Sequence, residues 1–189
     1  NLSLPPINKF IPTNFKMVKG KNSNKLKSVL NNNFVEIWNC FNTQFERPLD
    51  IYWIQIISSE FNKSIKNFLM TSIIKDLWND YLTPELYNAI ESGYHYSLSF
   101  LPYNNSITIN AKGFNQNINL IIQEIMECIT NFKDNFDEIK FNLSKDTLER
   151  NLSNIPLLPP WQLITYNIES KWVDGFRHYN DLLKAIKTI

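Results

Sequence analysis

Between Tyr94 and Phe132 the hydrophobic period changes once, and that change limits what the chain can fold into. Residues 94–101 and 106–112 read as two strands joined by the turn Pro102-Tyr103-Asn104-Asn105. In the second run Ile107, Ile109 and Ala111 fall on one face, and Thr108, Asn110 and Lys112 on the other. That is the period of two expected of a half-buried strand. Gly113 breaks the strand in this reading. Beyond it Ile118, Ile121, Ile122, Ile125, Met126 and Ile129 recur at helical spacing. A hairpin feeding an amphipathic helix predicts an α+β domain, with an antiparallel sheet of about four or more strands and helices packed on one face.

The flanking sequence supplies the remaining elements. Residues 1–33 do not read as a packed element: Pro5, Pro6 and Pro12 forbid regular helix, and residues 20–33 are polar with a Lys/Asn bias. Leu2, Leu4, Ile7, Phe10, Ile11 and Phe15 stud this stretch, which suits an extended linker lying along a surface. Phe34–Asn39 alternates and predicts a first strand. Leu49–Ser58 predicts a longer one with apolar side chains on both faces, either a central strand covered on both sides or one edge of an internal chamber. Helical spacing returns over Lys63–Tyr81. Thr83-Pro84-Glu85 reads as a new helix start, with Thr83 as N-cap, and Gly93 as the C-cap of that short helix. Asp134–Asn151, Trp161–Trp172 (begun by Pro160) and the run from Tyr179 onward read as three further helices. The predicted order is ββ-α-α-ββ-α-α-α-α, with a linker at 1–33 and a single domain at 34–189.

Charge and motifs narrow the chemistry. A formal net charge of +1 provides no field to steer nucleic acid, and no basic stripe is present. No window reaches the ~18 consecutive apolar residues of a membrane span, and the amino end shows no secretory pattern. No Gly-rich phosphate loop occurs. Cys40 and Cys128 read as two reduced, mostly buried thiols. The sequons at Asn62, Asn104, Asn142 and Asn151 carry little weight in so Asn-rich a chain. A start at Asn1 and an end inside a helical run suggest a piece of something longer.

Leu4-Pro5-Pro6-Ile7-Asn8-Lys9-Phe10-Ile11-Pro12-Thr13-Asn14-Phe15 resembles the connecting segment of insulin-degrading enzymes, zinc metallopeptidases of family M16. Downstream, Trp38, Pro48, Ala111-Lys112-Gly113-Phe114 and Asn151-Leu152-Ser153-Asn154 are similar to family positions in the same order. The resemblance covers essentially the whole chain. It implies the hinge segment plus most of the third of four homologous domains, a non-catalytic domain forming wall in the carboxy-terminal half of a peptide-degrading chamber. It further implies the amino-terminal half and the fourth domain of the same polypeptide as partners, peptide substrates, a possible homodimer and a cytoplasmic setting. The alternative is an inactive M16-like scaffold or interaction module.

In that family zinc is held by a His-x-x-Glu-His motif and a distant Glu in the first domain. Here only His95 and His178 occur, more than eighty positions apart and neither followed by Glu at the third residue. Zinc chemistry needs two imidazoles on one helical turn and a Glu to activate water, so zinc is expected in the parent's amino-terminal domain and no cofactor in this chain. Glu124/Glu127 and Asp134/Asp137/Glu138 have the spacing of solvated helix faces. Cys128 with His95 is a conceivable nucleophile and base, but a thiol beside an apolar stripe is not an activated one. No catalytic, metal or cofactor residue is assigned.

Overall fold

In a computed structural model, residues 7–17, 25–41 and 47–189 are described. The strands are β1 (Lys27–Asn31), β2 (Glu36–Asn39), β3 (Leu49–Ile57), β4 (His95–Leu101) and β5 (Ser106–Phe114). The helices are α1 (Ile65–Glu85), α2 (Tyr87–Glu91), α3 (Ile118–Thr130), α4 (Glu138–Asn154), α5 (Pro160–Trp172) and α6 (Tyr179–Ile186). The α+β class with antiparallel sheet and packed helices therefore holds. The order differs from expectation by one strand at the front.

That strand, β1, lies in the stretch read from sequence as linker. It pairs antiparallel with β2 in a separate two-stranded sheet. Asn32 closes the hairpin, its Oδ1 accepting from Phe34 N at 2.9 Å and Val35 N at 2.8 Å. All residues of both strands are exposed. With neither face of β1 buried, no alternation is written into its sequence, and its Lys/Asn bias reads as loop.

The main sheet among the described residues has three antiparallel strands in the order β3-β5-β4, not the four or more expected, because residues 34–39 pair with β1 instead. Its register runs unbroken, with Ile51, Lys112 and His95 opposite one another at one level and Trp53, Asn110 and Ser97 at the next. On the covered face Ile107, Ile109 and Ala111 meet Ile118, Ile121 and Ile125 of α3 in a single buried cluster. The stripe predicted from the 3.6 period is thus the one that seats the helix. Helix α1 crosses between two cores, sending Trp78 and Leu82 to the sheet side and Leu69 to Leu152, Leu182 and Ile186 of α4 and α6.

Two local readings are corrected. Thr83 does not cap a new helix: α1 continues through Pro84, and the Thr83 hydroxyl donates back to Asn79 O at 2.7 Å. A proline near a carboxyl end costs one bond already close to fraying, so it need not restart the helix. Gly113 does not break β5, which runs on to Phe114. A Cβ there would lie 2.2 Å from Tyr94 Cδ1, so the glycine serves close packing of an aromatic ring on the strand.

Candidate functional site: an open sheet face and a docked amino-terminal segment

The two faces of the three-stranded sheet differ sharply. One is buried under α1 and α3. The other presents His95, Ser97 and Ser99 from β4, Thr108, Asn110 and Lys112 from β5, and Ile51, Trp53, Gln55 and Ile57 from β3, assigned by strand alternation and register. Side-chain hydrogen bonds stiffen it, with Gln55 Nε2 donating to Ser106 Oγ at 2.9 Å. On this face Ile51, Trp53 and Ile57 are 72%, 69% and 69% exposed. The apolar residues on both sides of β3 therefore mark an edge strand with one side open, not a central strand covered twice.

Residues 7–17 lie against the other end of the same layer. Phe10 is 2% exposed and belongs to the main core. Asn8 Nδ2 donates to Asn88 O and Ser92 Oγ, both at 2.9 Å, while its Oδ1 accepts from Phe10 N. Three consecutive amides after β5 receive the rest. Gln116 Oε1 accepts from Thr13 N at 2.8 Å and Asn14 N at 2.7 Å, Asn115 Nδ2 donates to Lys16 O at 3.0 Å, and Asn117 Nδ2 faces Phe10 O at 3.3 Å. Lys9 pairs with Glu124 on α3, and Phe15 packs edge-on against Phe114 at 5.4 Å. The apolar studs at Phe10 and Phe15 are thus docking contacts; Leu2 and Leu4 lie outside the described residues. Nothing in the polar run Asn115-Gln116-Asn117 singles it out as a receptor for the segment, because Asn is common throughout the chain.

The residues weighed for chemistry are scattered. His95 opens β4 next to Tyr96, which packs against the core with Cys128. Alternation puts His95 on the opposite face, so the sheet separates it from Cys128 and no nucleophile–base pair forms. Burial pushes the Cys128 thiol up from its ordinary pKa, which keeps it protonated. Cys40 is exposed, correcting the expectation of burial, because β2 lies outside the main core. His178 caps α6, its Nδ1 accepting from Asn180 N at 3.3 Å, with its ring 4.5 Å from that of Tyr179. Among the acids, Glu124 pairs with Lys9 and Asp137 caps α4 through Ile139 N and Lys140 N. Among the described residues no group of three His, Cys, Asp or Glu side chains could hold a metal ion. The two histidines, on separate elements and one of them already a cap, do not fit a zinc site. No helix of the described residues is long and apolar enough to cross a membrane.

A second polar cluster was not legible in the sequence. Buried Asn62 donates through Nδ2 to Pro102 O at 3.1 Å and Gly175 O at 2.7 Å, and receives Arg177 Nε on Oδ1 at 3.1 Å. It pins the loop before α6 to the β4–β5 turn. It also removes Asn62 from the exposed sequons.

Residues 1–185 match the family model described as the middle or third domain of peptidase M16. Among curated proteins the chain is 26% identical over 165 residues to a nardilysin-like protein of Arabidopsis thaliana, covering 84% of this chain and 16% of that protein. It is 26% identical over 157 residues to the A-factor-processing enzyme of Saccharomyces cerevisiae, covering 82% and 15% respectively. The crystal structure of pitrilysin superposes over 100% of this chain and 20% of its own with a TM-score of 0.86; at 17% identity that likeness speaks for the fold alone. The chain therefore spans roughly a sixth of the length of these curated relatives.

Proposed function

The chain belongs to the M16 peptidases as their middle or third domain, and from that premise we propose that it is a non-catalytic wall of a peptide-degrading chamber. The observation that carries this reading is the asymmetry of the sheet. Helices bury one face, while on the other Ile51, Trp53, Ile57, Lys112 and His95 are uncovered, with Ser106 and Thr108 of the central strand buried between their neighbours. An uncovered rigid sheet can bound an enclosed volume, so that substrates are admitted by size and bulk water is kept from a zinc centre on another domain. His95 and His178 supply no such centre here.

The stretch 1–33 is the joint between the two halves of the polypeptide in this reading, with 34–189 the domain body, and residues 7–17 are the part of the joint that travels with the domain. Hinge changes localise to few residues, and a segment held by Phe10 and a row of amides is not among them. The exposed stripe Trp161, Ile164, Ile168 and Trp172 on α5, at spacing that keeps the four on one side of the helix, is the surface we assign to packing against neighbouring domains.

Single cysteines placed at Ser97 (open face) and Asn142 (exposed on α4) in the full-length polypeptide, with Cys40 and Cys128 replaced by serine, test the wall. A small maleimide labels both sites. A polyethylene-glycol maleimide of several kilodaltons labels Asn142→Cys and is excluded from Ser97→Cys in the closed protein. Equal labelling of both sites by the large reagent would remove the chamber reading. Separately, this chain incubated with zinc and a quenched fluorescent peptide retains no stoichiometric metal and releases no fluorescence; bound zinc with cleavage would overturn the non-catalytic assignment.

A further inference from the structure

The open sheet face is chemically lopsided, and its lopsidedness specifies a ligand. Along β3 the exposed side chains Ile51 and Trp53, with Ile57 beyond the intervening Gln55, form a narrow, once-interrupted apolar strip on an edge strand. Successive same-face residues on a strand are about 6.8 Å apart, the repeat that an extended peptide also presents. β3 pairs only with β5, so among the described residues its outer backbone edge is unpaired and can accept another extended chain. At one end of the strip Lys112 and His95 sit side by side in register with Ile51. Among the described residues no Asp or Glu occupies this face: Asp50, opposite Gly113, alternates to the helix side. Lys112 has no ion-pair partner among the described residues.

We propose that this face is a subsite for an extended peptide that adds beside β3, lays alternate apolar side chains along Ile51, Trp53 and Ile57 and delivers a carboxylate toward Lys112. The inference rests on the wall reading and adds the chemistry of what the wall holds. The strip supplies contact area, with Trp53 as the aromatic anchor. The cation sets direction, since a carboxylate at the Ile57 end would find only Ser106 and Leu101 in register. Either a chain's terminal carboxylate or an acidic side chain supplies the same group.

The test titrates the isotopically labelled chain with an N-acetylated hexapeptide alternating Leu and Thr, in three forms: free acid, carboxamide, and carboxamide with Glu at the last position. The expected result is chemical-shift change at Trp53, Asn110 and Lys112, with the two carboxylate forms binding about two- to fivefold more tightly than the plain amide, the range of an exposed ion pair. Parity of the two acidic forms shows that the carboxylate alone is read; binding of only the free acid narrows the ligand to a chain terminus. Lys112→Glu abolishes the preference while leaving amide binding intact, and Trp53→Ser weakens all three forms about tenfold or more; both positions are exposed, so the fold is kept. Equal binding of acid and amide, shifts confined to the α5 stripe, or face signals that move with protein concentration alone (a second copy covering the strip) would each overturn the proposal. Exclusion of the large maleimide from Ser97→Cys together with no carboxylate preference would sink the subsite and leave the wall.

Discussion

Gly113→Ala isolates the packing that fixes the central strand. An added methyl would lie 2.2 Å from Tyr94 Cδ1 and 2.9 Å from both Cε1 and Cγ, where ordinary contact begins at 3.4 Å. The ring must therefore withdraw by roughly 1 Å. It has nowhere to go: Tyr94 is 1% exposed, and its ring packs edge-on against Phe114 at 5.9 Å. Gly113 is not among the glycines with positive φ, so the cost is steric and not conformational. Forcing a methyl into a filled core costs about 1–3 kcal/mol. Urea unfolding followed by tryptophan fluorescence should show that loss as a lower midpoint with an unchanged m-value. The decisive measurement is the cycle with Tyr94→Ala, which alone costs about 3–5 kcal/mol. Once the ring is gone, Gly113→Ala should cost under about 0.5 kcal/mol, the limit for independent surface changes. Should Tyr94→Ala fail to fold, Tyr94→Leu shortens the side chain with less lost volume. A penalty that persists in either background, or none in the native one, would refute the contact as its cause.

Three further outcomes follow from contacts elsewhere. Phe10→Ala should lower stability by about 3–5 kcal/mol, the range for a buried aromatic, and hydrogen exchange at Thr13 and Asn14 should quicken with it; a fall under about 1 kcal/mol would mean the segment is not docked. Asn62→Ala removes three hydrogen bonds around a buried carboxamide and orphans the Arg177 Nε donor, which should cost about 2–3 kcal/mol, read as a drop in melting temperature with earlier exchange in residues 173–178. Burial raises the Asp50 carboxyl pKa, so its stabilising protonation is complete below the ordinary carboxylate range and is lost as pH rises through the raised value. Asp50→Asn should therefore raise the melting temperature at pH 7 and lose that advantage near pH 3; a benefit that is constant with pH would show that charge is not the cause.

What could be read from the sequence was what burial had written there. The α3 stripe and the β5 alternation are imposed by contact with one another, so Ile118, Ile121 and Ile125 announce both the helix and the strand face beneath it. Strand β2 was legible from the alternation of Phe34–Asn39, but β1, exposed on both faces, carries no such imprint, and its Lys/Asn bias hid a hairpin closed by the Asn32 side chain and by Asn32 N donating to Val35 O. Gly113 and Thr83-Pro84 were misread for a related reason. Local punctuation rules describe the chain by itself, whereas the Tyr94 ring and the packing of α1 on two cores decide those positions from outside. The open face was half legible: apolar residues on both sides of β3 demanded either cover or a chamber edge, but the register that sets Lys112 and His95 beside Ile51 exists only once the strands pair. Asn62 and Arg177, more than a hundred positions apart, had no sequence signal at all.

The same contacts constrain how a joint built on residues 1–33 could move. Neutral amide hydrogen bonds contribute about 0.5–1.5 kcal/mol each, and burial of one Phe about 1.5–3 kcal/mol. Their sum over Asn8, Phe10, Thr13, Asn14 and Lys16 exceeds what a swinging linker can surrender on each cycle without slowing. Sliding is barred too. A shift of one residue would replace Phe10 in the core with Lys9 or Ile11 and break the turn in which Asn8 Oδ1 holds Phe10 N. The docked part must therefore act as one body with α2, α3 and β5, which hold it. Ile7, immediately before the Asn8 anchor, is 95% exposed: it is an apolar side chain at the edge of the docked stretch with no cover within the described residues. If 1–33 is the joint we propose, a motion between halves therefore does not pivot within residues 8–17, whose contacts bind them to α2, α3 and β5.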